Sequence, residues 1–155
     1  MPSPAASENK LSLYDQDFYR WIQETVQALK HRDLEQVDWE NLIEEIDSMG
    51  RSEKKELKSR LLVIIEHLLK LMFWETEKLQ NSRGWRNIII EQRGQLELLL
   101  EDSPSLKPLI QELFPEFYAK ARTQVLQKSS LSGEQIPVRP PFSGEHVLDP
   151  TFLPG

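Results

Sequence analysis

The chain has 155 residues, enough for one domain with a buried core, and its 39% hydrophobic and 28% charged composition is that of a folded globular protein. Zero cysteines exclude disulfides, thiolate catalysis and the common structural zinc sites. Nineteen basic against 25 acidic residues leave a net charge of −6, which argues against a dedicated nucleic-acid binder.

No apolar run reaches the roughly 20 residues that span a bilayer, and the opening "MPSPAASENK" lacks the basic patch and apolar segment of a secretory signal. A cytoplasmic protein away from membranes is therefore expected. Residues 1–13, with small residues and two prolines, are expected to be a disordered lead into a helical domain over 14–131.

A first helix is predicted from about Asp15 to Lys30, with Tyr14, Phe18, Trp21, Ile22, Thr25 and Leu29 on one face. Asp38 is a good N-cap for a second, although Asn41 stands where a capping box would have glutamate or glutamine. Trp39, Leu42, Ile43, Ile46 and Met49 form its apolar stripe, and Gly50 is placed to end it. The third and longest helix runs from about Ser52 to Trp74; its start, "RSEKKELKSR", mixes both charges as a solvated face does. "ETEKLQNSRG" breaks the apolar pattern and is expected to be a connection. A fourth helix follows from Trp85 to about Glu101. Ser103 and Pro104 signal the start of a fifth, 104–113, which Pro115 should kink or restart as a sixth, 115–129. Residues 132–155 hold five prolines yet keep Ile136, Val138, Phe142, Val147, Leu148 and Phe152, so an extended Pro-rich arm packed over the helices is expected. The predicted class is all-α, a compact bundle of five to six helices.

Within the apolar run "RLLVIIEHLLKLMFW", Glu66 and His67 are adjacent but fall on different faces at about 100° per residue. Glu66 aligns with Ser59 and Lys70 on the one polar strip and is expected to be solvated. His67 lies about 60° from Ile64, inside the apolar arc, and shares a line with Arg60 and Glu56. On the fourth helix Gln92 projects from the apolar stripe and Arg93 from its edge; on the second, Glu45 sits at the rim. Since a buried amide without a partner costs about 1–3 kcal/mol, a shared network of Glu45, His67, Gln92 and Arg93 is expected. It either locks helix register or forms a binding wall.

Other chemistries find less support. Bundle metal sites use Glu-x-x-His, which is absent, so no metal is expected. No G-x-S-x-G elbow or Gly-rich phosphate loop occurs, so no cofactor is expected either. Arg60 and His67, separated by six residues, resemble the loose R-x(4–6)-H motif of the HEPN helical ribonucleases, in which Arg would stabilise a phosphorane while His moves a proton. Arg83 and Trp85 in "NSRGWRN" could border a pocket for an anionic or planar ligand, or Trp85 could simply anchor a helix start.

Taken in order, "LYDQDFYRW", "DWENLIEEIDSMGRSEKKELKSRL", "EHLLK", "RGWRNIIIEQR", "SPSL" and "VLDPTFLP" closely resemble the bacterial family known as domain of unknown function twenty-nine, common in cyanobacteria. The resemblance covers nearly the whole chain from about Leu13. It implies a compact all-helical domain, with Glu44, Glu45, His67, Arg83, Trp85, Gln92 and Arg93 at motif positions. It implies no activity. Leu71 stands where the family usually has Trp, and Gly84 where it usually has Ser. The expected function is a non-catalytic interaction or adaptor protein with a protein partner, self-association being left open. The alternative is a ribonuclease-like enzyme or small-ligand binder using Arg60 and His67.

Overall fold

The computed structural model describes residues 12–155. It is all-α: six helices and two 3-10 turns, with no strand among the described residues. The helices are α1 (Leu13–Gln16), α2 (Phe18–Lys30), α3 (Trp39–Phe73), α4 (Glu75–Asp102), α5 (Lys107–Lys128) and α6 (Gly144–Leu148). Of the expected lead, residues 1–11 lie outside the described residues. Ser12 caps α1, accepting from the Asp15 amide. The chain divides into two compact units, 1–50 and 51–155, the division falling within α3.

In the first unit the expected single helix is two. Asp17 adopts an extended backbone (φ −151°, ψ 90°), closing α1 and capping α2 through the Arg20 amide at 3.1 Å. An aspartate that accepts amide bonds in extended geometry favours a cap over helix continuation. At the far end of α2 the Asp33 and Arg32 amides donate to Ala28 and Leu29, with Arg32 left-handed at φ 58°. This is a Schellman stop with arginine where glycine is usual. Asp38 caps α3 as its sequence suggests. Asn41 supplies a second link, its side-chain amide donating to the Asp38 carboxylate at 2.6 Å.

Gly50 does not end a helix. The residues that follow it, Arg51 to Lys58, are strong helix formers, and their preference outweighs the roughly 1 kcal/mol that one helical glycine costs. α3 therefore runs unbroken for 35 residues.

In the second unit, Leu57, Leu61, Ile64, Ile65, Leu68, Leu69 and Leu71 of α3 are fully buried. The expected connection "ETEKLQNSRG" is helical and forms the first turns of α4, with Trp74 alone as the break. Its residues have adequate propensity and no proline. They lack apolar periodicity because this part of the helix is not buried, Leu79 being 97% exposed. Pro115 likewise fails to interrupt α5. Phe114, Phe117 and Tyr118 beside it are all buried, and this packing offsets the hydrogen bond that proline removes.

Residues 132–155 contribute Ile136, Phe142 and Val147 to the same apolar core. Phe142 packs against Phe114, Tyr118 and Phe152 at centroid distances of 5.7 to 6.1 Å. Arg122 donates to the Ile136 and Gly133 carbonyls at 2.9 and 2.7 Å, and the Tyr118 hydroxyl donates to the Pro137 carbonyl.

A Cβ added at Gly50 meets nothing within 4 Å. Gly50→Ala should therefore raise stability by about 0.5–1 kcal/mol in urea denaturation. A loss of stability would contradict a helix continuous through this position.

Candidate functional site

On α3, Glu56 and Arg60 form an ion pair at i,i+4 spacing. Arg60 donates to Glu56 Oε1 from Nε (3.0 Å) and Nη2 (2.9 Å), and from Nη1 to Gln92 Oε1 on α4 at 3.1 Å. These groups border a shallow hollow of about 450 Å³ with Ser52, Lys55, Ser59 and Val63. Gln92 thus meets Arg60 here.

His67 lies two turns along the helix, a rise of about 10 Å. Its Nδ1–H donates to the Val63 carbonyl at 2.8 Å. Burial is the main cause holding its pKa below the ordinary value; the Val63 bond and Glu66 oppose this, and Lys70 and Lys128 add to it. The ring is consequently neutral at pH 7, its Nε2 carrying the lone pair.

Glu66 departs from the sequence-based expectation of a solvated group. It is buried, and its Oε1 receives Lys128 Nζ at 2.6 Å and Lys70 Nζ at 3.6 Å. Helical geometry on α3 alone puts Glu66 opposite the apolar arc. It cannot show that a lysine 62 positions later covers that strip. Desolvation by burial lowers the Lys70 pKa, with Glu66 opposing.

Arg93 is 8% exposed and ties α4 to the C-terminal segment. Its Nε and Nη2 donate to the Val147 and His146 carbonyls, both at 2.8 Å. A cation at the carbonyl end of the short helix α6 also suits the helix dipole. Nη1 is buried without a partner among the described residues, and burial lowers the pKa of the guanidinium while Asp149 raises it. Arginine stays charged even so. Arg93 and Lys107 border an open cleft of about 610 Å³ with Glu97, Glu101, Leu148 and Pro150. Trp85 is buried and stacked on Trp74 at 5.8 Å, whereas Arg83 beside it is exposed.

Glu45 belongs to the first unit, where it accepts from the Tyr14 hydroxyl. That bond, the largest cause, pushes the Tyr14 pKa up to about 12. The same unit carries a feature that the sequence alone does not mark. Phe18, Ile22 and Val26 of α2 and Leu42, Ile46 and Met49 of α3 line an apolar groove of about 400 Å³. Ile46 is 60% and Met49 66% exposed, and Ile43 beside them is also exposed. Trp21 forms part of the wall, buried against Tyr14 and Phe18, with its Nε1–H lacking an acceptor among the described residues. The available signal was length: two helices with complete apolar stripes in about 40 residues cannot bury both fully.

Among the described residues no three His, Asp or Glu converge as a metal site would require, and no helix is long and apolar enough to cross a membrane. The family described as "Domain of unknown function DUF29" matches residues 13–153. No curated protein and no solved structure matches the chain.

Two outcomes follow from this geometry. Arg93→Ala removes two charge-assisted bonds and should lower stability by about 2–4 kcal/mol, with faster proteolysis within 131–155. Wild-type stability to urea without faster proteolysis would contradict the anchoring role. For His67 the neutral form is favoured by folding, so its contribution is fully present above the ordinary value of 6.5 and is lost as pH falls through and below it. His67→Gln should therefore flatten the loss of stability between about pH 7 and pH 5. An unchanged slope would show that His67 does not carry it.

Proposed function

We propose that this chain, which belongs to the DUF29 family, is a non-catalytic interaction protein that docks its partner on the apolar groove between α2 and the first turns of α3. The exposure of Ile46 and Met49 carries this reading. Contiguous exposed apolar side chains on a folded protein favour an interface, because leaving them in water forfeits roughly 25 cal/mol per Å². A cytoplasmic setting is part of the proposal and agrees with the absence of cysteine.

Catalysis by Arg60 and His67 is supported less well. The Arg60 guanidinium is held by Glu56 and Gln92, and His67 is not among the residues that border the hollow beside it. In this reading the two act structurally, Arg60 as a brace between α3 and α4 and His67 as a neutral ring closing on its own helix.

Photo-crosslinking in the native cell separates the two readings. A benzophenone residue in place of Ile46 should give a discrete protein adduct that Met49→Asp abolishes, while one in place of Ser59 gives none. Adducts at position 59 alone, together with RNA cleavage lost in His67→Ala, would overturn the proposal.

A further inference from the structure

The groove has a charge setting that narrows what can occupy it. Residues 12–50 contain ten Asp or Glu against three Lys or Arg, a net charge of −7. Residues 51–155 contain 14 acidic and 15 basic residues, a net of +1, so the acidity of the whole chain resides in the groove-bearing unit. The groove itself is almost purely apolar in its lining, Glu45 being its one ionisable group.

Helical geometry places these charges beside the apolar strip. On α3, Ile46 and then Ile43 form its outer edge, and Asp47 and Glu40 come next around the helix. On α2 the corresponding outer edge is Tyr19, Gln23 and Lys30, less acidic and with one cation. The surface is therefore an apolar channel with a carboxylate-rich border along α3. Its length is set by α2, whose 13 residues span about 20 Å.

Resting on the docking role proposed above, we infer that the partner is a protein segment forming a basic amphipathic helix of three to four turns. Its apolar face enters the groove between α2 and α3, and its lysines or arginines lie against the α3 carboxylates. This is helix-in-groove recognition, with apolar anchors supplying affinity and charge supplying orientation and choice of partner. The same charge opposes the other candidates for this face. A second copy would bring two units of −7 together, and an anionic membrane or nucleic acid would be repelled.

The test titrates the full chain with synthetic helical peptides of about 14 residues, enough to match the span of α2. One has a leucine face and a lysine face, a second has glutamate replacing lysine, and a third scrambles the first. The lysine peptide should bind one to one, about tenfold or more tighter than either other, and should weaken as salt is raised from about 50 to about 300 mM, because the Debye length shortens over that range. The double variant Ile46→Ser, Met49→Ser keeps the charge and should lose about tenfold in affinity.

The alternatives read out differently. Equal binding of the glutamate peptide, abolished by the double variant, would overturn the basic-helix assignment and leave the docking face standing. Self-association of the chain abolished by the same variant, without peptide binding, would likewise replace the basic helix by a second copy. Lysine-peptide binding indifferent to the double variant would overturn both, since charge alone would be acting away from the groove. Binding to vesicles of anionic lipid would count against the inference in the same way.

Discussion

The structure of residues 51–155 depends on one constraint: the second half of α3 has to be covered on every side. Seven of its leucines and isoleucines are fully buried, and the residue opposite them, Glu66, is buried as well. A buried carboxylate is tolerable only when paired, because removing one partner of such a group typically costs about 3–5 kcal/mol. Lys70 and Lys128 provide the pairing, and Lys128, at the end of α5, can do so only when α5 is in place. The other connections follow from the same need. Arg60 bridges to Gln92 on α4, and Arg93 on α4 holds the His146 and Val147 carbonyls. Ile136, Phe142 and Val147 complete the apolar wall. Among the described residues of this unit, Arg93 Nη1 is the one buried side-chain nitrogen or oxygen without a hydrogen-bond partner.

Residues 12–50 face the opposite situation. Two short helices and the first turns of α3 cannot enclose their own apolar stripes. Trp21 is the one large side chain of α2 that is well buried, held by Tyr14 and Phe18. The Tyr14–Glu45 bond links α1 to α3 and fixes one rim of the groove. Phe18, Ile22, Val26, Ile43, Ile46 and Met49 stay open to water beside a concentration of carboxylates. An apolar channel with an acidic border is an unfavourable surface in isolation and a favourable one opposite a cationic helix.

Much of the architecture was legible in the residues because it rests on local chemistry. Asp38 caps α3, the apolar stripes of α2 and α3 fall where the spacing puts them, and the all-α class follows from the absence of period-two segments. The misplaced boundaries share one physical cause. Gly50, "ETEKLQNSRG" and Pro115 would each interrupt an isolated helix, whereas neighbouring propensity and packing carry the helix through them. The polar cluster was legible only in its members. Arg60, Gln92 and Arg93 do project from apolar faces, but which group meets which depends on helix-to-helix register that one helix cannot report. Glu66 illustrates this most clearly, since its burial is created by Lys128. The groove was hidden for the converse reason: its residues look like ordinary core, and only the lack of a covering element makes them a surface.

The burial in residues 51–155 predicts a stable core there, and the exposed apolar side chains of 12–50 predict lower local stability. Native-state hydrogen exchange on the full chain measures this directly, because each amide reports the free energy of the opening that exposes it. The slowest exchange is expected over 57–71 of α3, with 18–29 of α2 opening separately and at lower cost. Equal protection of the two segments, both exchanging only through global unfolding, would contradict it.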